Sequence, residues 1–264
     1  MNEIFNLKRF LQLLRKTIFE KPIQMFGLSF LVFALSLIIY TCFRSISNYQ
    51  SANIISFFIG LVLGGFFLAA AVMGNFSNTA NGISFLTLPV SAFEKWLTAV
   101  IIICVLYLPL YLLFFRIMDL TMIQIYHHGL DPNKADYKEL YDKARILEYT
   151  GLEAKIFFIF FFNVTGAMLA GSLYFNKISV IKVALICVAV FFGFYSLNYL
   201  IAGIFFDSLE AAFPFSGVSI ELANQKGRID LPPQASGIVL IMFQYIFPAL
   251  LYVLAFVKLR EKEF

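Results

Sequence analysis

Long apolar runs alternate with shorter polar segments along the chain. Six of these runs contain no Asp, Glu, Lys or Arg, and each approaches the roughly 20 residues that a helix needs to cross a membrane. They cover residues 24–43, 53–74, 97–115, 156–176, 183–206 and 237–257. Segments of about 10 residues that alternate in polarity, as in a transmembrane β-barrel, are not seen. The pattern therefore predicts an all-α, polytopic membrane protein with six transmembrane helices.

The composition agrees with this interpretation. Of the 264 residues, 61% are hydrophobic and only 14% are charged, whereas about 25% of a soluble domain is charged. So little charge leaves too few polar side chains to cover a soluble globule of this size. We therefore exclude the soluble and disordered classes and expect one transmembrane domain over residues 1–264, with the first run retained as a span.

The charges between the runs predict an orientation. The segments that share a side with both termini carry 11 Lys and Arg against 5 Asp and Glu, whereas the other side carries 9 against 11. Because basic residues are enriched on the cytoplasmic side, we expect both termini to be cytoplasmic. The expected location is the cell membrane, as a multi-pass protein of a bacterial inner membrane. Residues 116–155 and 207–236 are then the outer segments.

Residues 3–19 are predicted to form an amphipathic helix that lies on the membrane surface. Its apolar stripe comprises Ile4, Leu7, Leu11, Leu14 and Ile18. Its opposite arc carries the basic residues Lys8, Arg9, Arg15 and Lys16. Such a helix is typical of an anchor on anionic membrane lipid; a mechanical role in a larger machine is the alternative.

The segment 75–96 begins polar and turn-rich and then becomes apolar without being long enough to span a membrane. Pro89 interrupts it, and Ser91 with Glu94 has the spacing of a capping box that opens the third span. Phe85, Leu86 and Leu88 would be exposed before this break and could enter a groove on a partner. The alternative is an ordinary turn followed by a capped helix.

Residues 85–96 resemble the LP-S-x-x-E-K stretch that follows the second span in permease subunits of ABC-2 type ATP-binding-cassette transporters. The matching positions are Leu88, Pro89, Ser91, Glu94 and Lys95. The resemblance implies an N-terminal elbow helix, six spans, a dimer with a second permease copy or a paralogue, and a separate ATPase subunit. It also implies that the ATPase is coupled through Phe85, Leu86, Leu88, Pro89, Ser91, Glu94 and Lys95, in what we expect to be an exporter.

The sequence also limits the energy source that active transport could use. The predicted spans lack the ionisable side chains that ion-coupled transporters need at membrane depth, and the chain has no Gly-x4-Gly-Lys-Ser/Thr phosphate loop. Active transport would therefore use ATP hydrolysed by another polypeptide. A membrane scaffold or assembly factor that acts through its outer segments is the alternative, and a passive channel is a third.

Other chemistry is not predicted. The histidines, His127 and His128, are adjacent in an expected outer loop, and the three cysteines are far apart, so we expect no metal, no cofactor and no catalytic site. Basic residues are not grouped with aromatic residues in the way that nucleic-acid binding requires. We therefore expect membrane lipid and protein as the partners, and no nucleic acid.

Small residues and turn residues predict local features. Gly60 with Gly64, and Gly166 with Ala170, have the small-xxx-small spacing that lets helices pack closely, here within the subunit. Pro109 and Pro248 are expected to kink the third and sixth spans. In the outer segments we expect an amphipathic helix from Asp131 to about residue 151 and a short hairpin turning at residues 224–227.

Overall fold

Helices account for most of the described chain. The structure, a computed structural model, describes residues 5–20, 22–74, 79–133, 137–175, 178–206, 209–213, 217–222, 225–230 and 232–262. The helices are α1 (Leu7–Glu20), α2 (Pro22–Ile46), α3 (Tyr49–Val72), α4 (Thr79–Leu86), α5 (Ala92–Val100), α6 (Leu108–His128), α7 (Tyr137–Lys143), α8 (Leu152–Tyr174), α9 (Ser179–Phe205), α10 (Pro233–Ile241) and α11 (Phe247–Glu261). The strands are β1 (Leu209–Phe213), β2 (Gly217–Leu222) and β3 (Gln225–Asp230).

Within the described residues, six helices are long and apolar enough to cross a membrane. Spans 1 and 2 are α2 and α3, span 3 runs from α5 through α6, spans 4 and 5 are α8 and α9, and span 6 runs from α10 through α11. The prediction of a multi-pass protein with six helical spans is therefore confirmed. In addition, a small antiparallel sheet with the strand order β1-β2-β3 follows α9, so the expectation of an all-α fold holds for the spans but not for this segment.

Span 3 is much longer than the predicted run of residues 97–115. It is continuous from Ala92 to His128, a length of 37 residues, because a capped start precedes the apolar run and the helix ends only at Gly129. The helix takes in the charged residues Glu94, Lys95, Arg116 and Asp119. The expectation that all charges lie outside the span helices is therefore wrong, because α2, α8, α9 and α11 also take in charged residues near their ends.

Both prolines inside the spans follow a π-helical turn. The turn Ile101–Tyr107 joins α5 to α6 just before Pro109, and the turn Met242–Ile246 joins α10 to α11 just before Pro248. Proline cannot donate a backbone hydrogen bond, and its ring presses on the carbonyl one turn earlier. The wider π turn accommodates this pressure without ending either span.

The two segments beyond the spans differ in detail from their predictions. The expected helix from Asp131 is reduced to α7, and the chain that follows is irregular, with Ala144 and Leu147 buried against the bundle. In the hairpin, Leu222 pairs with Gln225 and Ile220 with Gly227, so residues 225–227 belong to β3 and not to the predicted turn.

Close packing around α3 holds the bundle together. Small residues on α3 leave room for two tyrosines of span 3, whose hydroxyls donate to α3 carbonyls: Tyr107 to Gly60 at 3.0 Å and Tyr111 to Phe57 at 3.1 Å. A Cβ atom added to Gly60 would meet the Tyr111 hydroxyl, and one added to Gly64 would meet the Tyr107 hydroxyl. The Gly60–Gly64 pair thus lies at a contact within the chain.

The second pair of small residues lies between spans 4 and 6. A Cβ atom added to Gly166 would come within 3.0 Å of Leu251 and 3.2 Å of Tyr252, and Ala170 on the same helix is buried. By contrast, α9 leaves most of its apolar side chains exposed, and Gly193 near its middle has no neighbour within 4 Å of an added Cβ atom.

We predict that Gly64→Ala lowers the thermal midpoint of the purified protein in detergent. The added methyl group would displace Tyr107 from its bond to Gly60, and overpacking of this kind costs about 1–3 kcal/mol. Gly193→Ala is the matched control, because its methyl group enters open space and should leave the midpoint unchanged or slightly higher. Equal midpoints for the two variants would contradict the packing described.

Candidate functional site

The segment that resembles a transporter motif lies where α4 meets the start of span 3. Ser91 is in an extended conformation and its Oγ accepts a hydrogen bond from the Glu94 N–H at 3.2 Å, while the Ser91 N–H donates to Glu94 Oε2 at 3.0 Å. These reciprocal bonds satisfy two backbone donors at the helix start. The predicted capping box is confirmed.

Glu94 has a second role that the local pattern does not indicate. Its other oxygen, Oε1, accepts hydrogen bonds from the Asn6 N–H at 2.6 Å and from Arg9 Nη2 at 3.2 Å. The Glu94 side chain is fully buried, whereas Arg9 remains 36% exposed. Asn6 in turn accepts from the Lys8 N–H through Oδ1 at 3.0 Å, which starts α1. One carboxylate therefore joins the starts of α1 and span 3.

Lys95 points in another direction and holds α4. Its Nζ donates to the Leu86 carbonyl oxygen at 3.0 Å and lies 5.8 Å from the centre of the Phe85 ring. Carbonyl groups in the last turn of a helix lack partners within the helix and carry partial negative charge, so a buried ammonium group there is well placed. Only 2% of Lys95 is exposed. Both charged residues of the motif are thus anchors inside the protein and not part of its surface.

The turn between α4 and span 3 presents a small surface. Phe85, Leu86 and Leu88 were expected to be exposed, but all three are half-buried. Phe85 and Leu88 line a narrow cavity beneath α1 and the ends of α2 and α3, where the chain brings Leu13, Met25 and Val72 together. Among residues 84–90, the exposed side chains are Ser84, Thr87 and Pro89. We call this surface the tip.

An aromatic cluster reinforces the junction. The Phe93 ring lies 6.3 Å from Phe5, which precedes α1, 5.8 Å from Trp96 and 6.2 Å from Phe256 of α11. Trp96 also donates from Nε1 to the Tyr252 carbonyl oxygen at 2.9 Å. The N-terminal segment, span 3 and span 6 are therefore tied together at this end of the bundle, which we call the α1 end.

The amphipathic helix predicted for residues 3–19 is present as α1 in the described chain, although its protein-facing side differs from the prediction. Phe10 and Leu13 are buried, whereas Leu7 and Leu11 of the predicted stripe are 61% and 53% exposed. One apolar side of the helix packs on the protein, and a second apolar side is exposed. Its exposed basic side chains are Lys8, Arg15 and Lys16.

A second buried carboxylate lies at the opposite end of the bundle. Asp119 Oδ1 accepts from the Tyr49 hydroxyl at 2.8 Å and from Asn53 Nδ2 at 2.7 Å, and Oδ2 accepts from the Leu147 N–H at 2.8 Å. From the sequence, Asp119 was expected in the outer segment 116–155, because the apolar run ends at Phe115. Asp119 follows Phe115 by four residues and therefore lies on the same, buried face of the helix. This spacing is the signal that could have identified Asp119 as a buried residue.

The adjacent histidines lie on the last turn of α6 and not in a loop. The His127 ring stacks on Tyr141 of α7 at a centroid distance of 3.8 Å. Within the residues that the structure describes, no group of three or more His, Cys, Asp or Glu side chains could hold a metal ion.

Comparisons with protein-family models, curated proteins and solved structures found no match to the chain. The resemblance to ABC-2 permeases therefore depends on residues 85–96 together with the arrangement of the spans.

We predict that Glu94→Ala loosens α1. The change leaves the Asn6 and Ser91 N–H groups without their acceptor, and each unsatisfied buried donor costs about 1–3 kcal/mol. Hydrogen exchange of the α1 amides, measured by mass spectrometry in detergent, should accelerate by about tenfold or more. Glu139→Ala, on exposed α7, is the control, and unchanged α1 exchange in Glu94→Ala would contradict the assigned role.

We further predict that Asp119→Asn frees the segment around Leu147. In the asparagine an NH2 group replaces Oδ2, so the Leu147 N–H loses its acceptor. The remaining oxygen can still accept from Tyr49 and Asn53. Trypsin should then cleave faster at the basic residues Lys138, Lys143 and Arg145.

Glu139→Gln is the control for this experiment. Glu139 pairs with Lys143 on the exposed surface of α7, where the hydrogen bond from Lys143 lowers the pKa of the Glu139 carboxyl. Loss of an exposed pair has little effect on stability, so cleavage should stay at the wild-type rate. Equal rates for Asp119→Asn and wild type would show that Asp119 does not hold this segment.

Proposed function

We propose that the chain is the membrane-spanning permease subunit of an ATP-driven, ABC-2 type transporter. In this proposal it works as an exporter in a dimer with a second copy or a paralogue, in the cell membrane of a bacterium, and takes its energy from a separate ATPase. The observation that carries the proposal is the construction of the tip: an exposed turn whose flanking charged residues, Glu94 and Lys95, are buried anchors to α1 and α4.

This construction suits the transmission of force. Span 3 begins directly behind the tip and continues for 37 residues, which is about 55 Å at 1.5 Å per residue. A partner that displaces the tip would therefore move one end of a continuous helix. Because Glu94 binds α1 and Lys95 binds α4, these helices would move with it.

The charge distribution supports cytoplasmic termini. The tip and the basic side chains of α1 then face the cytoplasm, where an ATPase can reach them. Leu7 and Leu11, which α1 leaves exposed, would enter the lipid interface beside span 1, while Lys8, Arg15 and Lys16 would meet anionic headgroups. In this arrangement α1 is the elbow helix.

Asp119 is not suited to couple transport to an ion gradient. An ion-coupling carboxylate must exchange its ion or proton during the cycle, whereas three protein donors occupy the oxygens of Asp119. This environment supports a structural role. The proposed energy source therefore remains the ATPase.

A membrane scaffold is the second candidate. The hydrogen bond that the Leu147 N–H donates to Asp119 favours it, because this contact fixes the segment that a scaffold would present to partners. The two candidates place the essential surface at opposite ends of the bundle, so substitutions at the two ends can distinguish them.

We predict that an ATP-binding polypeptide copurifies with the tagged chain from membranes of its natural host. Photolabelling of the complex with azido-ATP should mark this polypeptide. Thr87→Arg and Pro89→Arg change only exposed tip positions. Each should reduce recovery of the labelled polypeptide by about fivefold or more, since interface centres tolerate an unpaired charge poorly.

Thr150→Arg makes the same chemical change at an exposed turn at the opposite end of the bundle and serves as the control. It should leave recovery unchanged. The permease proposal fails if no labelled polypeptide is recovered, or if the Thr150 variant loses it while the tip variants keep it. The latter result would favour the scaffold.

A further inference from the structure

Spans 3, 4 and 6 enclose a cleft of about 490 Å³ that is open along one side. This volume falls within the range of about 300–1,000 Å³ that is typical of ligand pockets. The cleft extends from Lys155, in the first turn of α8, to Trp96, near the α1 end of span 3. Its walls between these ends are aromatic and aliphatic, with Phe158, Phe162 and Val100 among them.

Both π-helical turns of the spans contribute to this cleft. Cys104 comes from the turn in span 3, and Gln244 and Tyr245 come from the turn in span 6. A π turn widens the helix and is often found at functional sites. The widened turn in span 6 is held open from span 4, because Asn163 Nδ2 donates to the Phe243 carbonyl oxygen at 2.8 Å.

The polar groups of the cleft fall into two sets. At its base, the Tyr252 hydroxyl is paired with Thr165 Oγ1 at 2.9 Å and with Cys104 Sγ at 3.6 Å. Toward the other end, the side chains of Lys155 and Gln244 have no hydrogen-bond partner within the described part of the chain. Among the described residues that line the cleft, Lys155 alone is charged. Polar groups at the edge of a membrane are costly unless they find a partner.

We propose that this cleft binds one anionic phospholipid of the surrounding membrane. The Lys155 ammonium binds the acidic headgroup, the Gln244 amide donates to an ester carbonyl of the lipid, and one acyl chain lies along the aromatic wall toward Trp96. The apolar walls and the side opening exclude a water-soluble anion as the occupant, since such an ion would lose its hydration without gaining apolar contacts. Lipid binding here does not require that the chain be a transporter.

The intrinsic fluorescence of Trp96 reports on this site, because Trp96 is the only tryptophan of the chain and lines the cleft. The full chain is purified in detergent, and its fluorescence is followed during titration with phospholipids whose acyl chains are brominated near the methyl end. Bromine quenches tryptophan on contact. We expect the quenching by brominated phosphatidylglycerol to be saturable. Half-saturation should occur at about fivefold lower concentration than for phosphatidylcholine, because one lysine near an acidic headgroup raises the affinity by about this factor.

Three variants test where the lipid binds. Lys155→Gln should remove the preference for phosphatidylglycerol and leave quenching by phosphatidylcholine unchanged. Ala249→Phe, which fills the cleft from an exposed position on α11, should abolish saturable quenching by both lipids. Leu250→Phe adds bulk at the neighbouring residue, outside the cleft lining, and should behave as wild type.

Quenching that does not saturate, that is equal for the two headgroups in the wild type, or that persists in Ala249→Phe would overturn the proposal. Any of these results would mean that the cleft does not bind an anionic phospholipid selectively. The Lys155→Gln comparison remains decisive if Ala249→Phe fails to fold, since the Lys155 side chain is exposed and this change should leave the fold intact. Loss of the phosphatidylglycerol preference is required in that variant.

Discussion

The interaction on which the α1 end depends is the set of hydrogen bonds at the Glu94 carboxylate. One oxygen completes the capping box of span 3 and the other receives the Asn6 N–H and the Arg9 guanidinium. A buried carboxylate is stable only when its oxygens are fully bonded. This requirement forces α1 to lie against the start of span 3, and the position of α1 then covers Phe85 and Leu88 and limits the tip to a few exposed residues.

A similar constraint applies at the other end of the bundle. Asp119 is also fully bonded, but its partners come from α3 and from the segment before α8. Between the two carboxylates, the glycines of α3 allow the tyrosines of span 3 to reach its backbone. Span 3 is thus tied to neighbouring segments at both ends and along its middle, so a displacement of this helix would move those segments with it.

The features that could be predicted from the sequence are those determined by neighbouring residues. Apolar runs predict the six spans because length and hydrophobicity alone decide whether a helix can cross a membrane. The capping box at Ser91 was predicted because its bonds join residues three apart. The turn of the hairpin was misplaced because strand pairing, with Leu222 opposite Gln225, determines it.

The remaining features depend on contacts between distant residues. The burial of Lys95 requires the end of α4, and the burial of Asp119 requires Tyr49 and Leu147, neither of which lies near it in the chain. Leu13 is buried although it lies outside the apolar stripe predicted for α1, because no periodicity in the helix indicates that a second protein surface lies beside it.

Whether an ATPase binds the tip can be decided by crosslinking from a single position. A photoreactive benzoylphenylalanine placed at position 89 is irradiated in membranes of the natural host, with position 150 as the comparison. If the proposal is right, position 89 gives a crosslinked product that contains an ATP-binding polypeptide, and position 150 gives none. Crosslinks to such a polypeptide from position 150 alone, or from neither position, would contradict it.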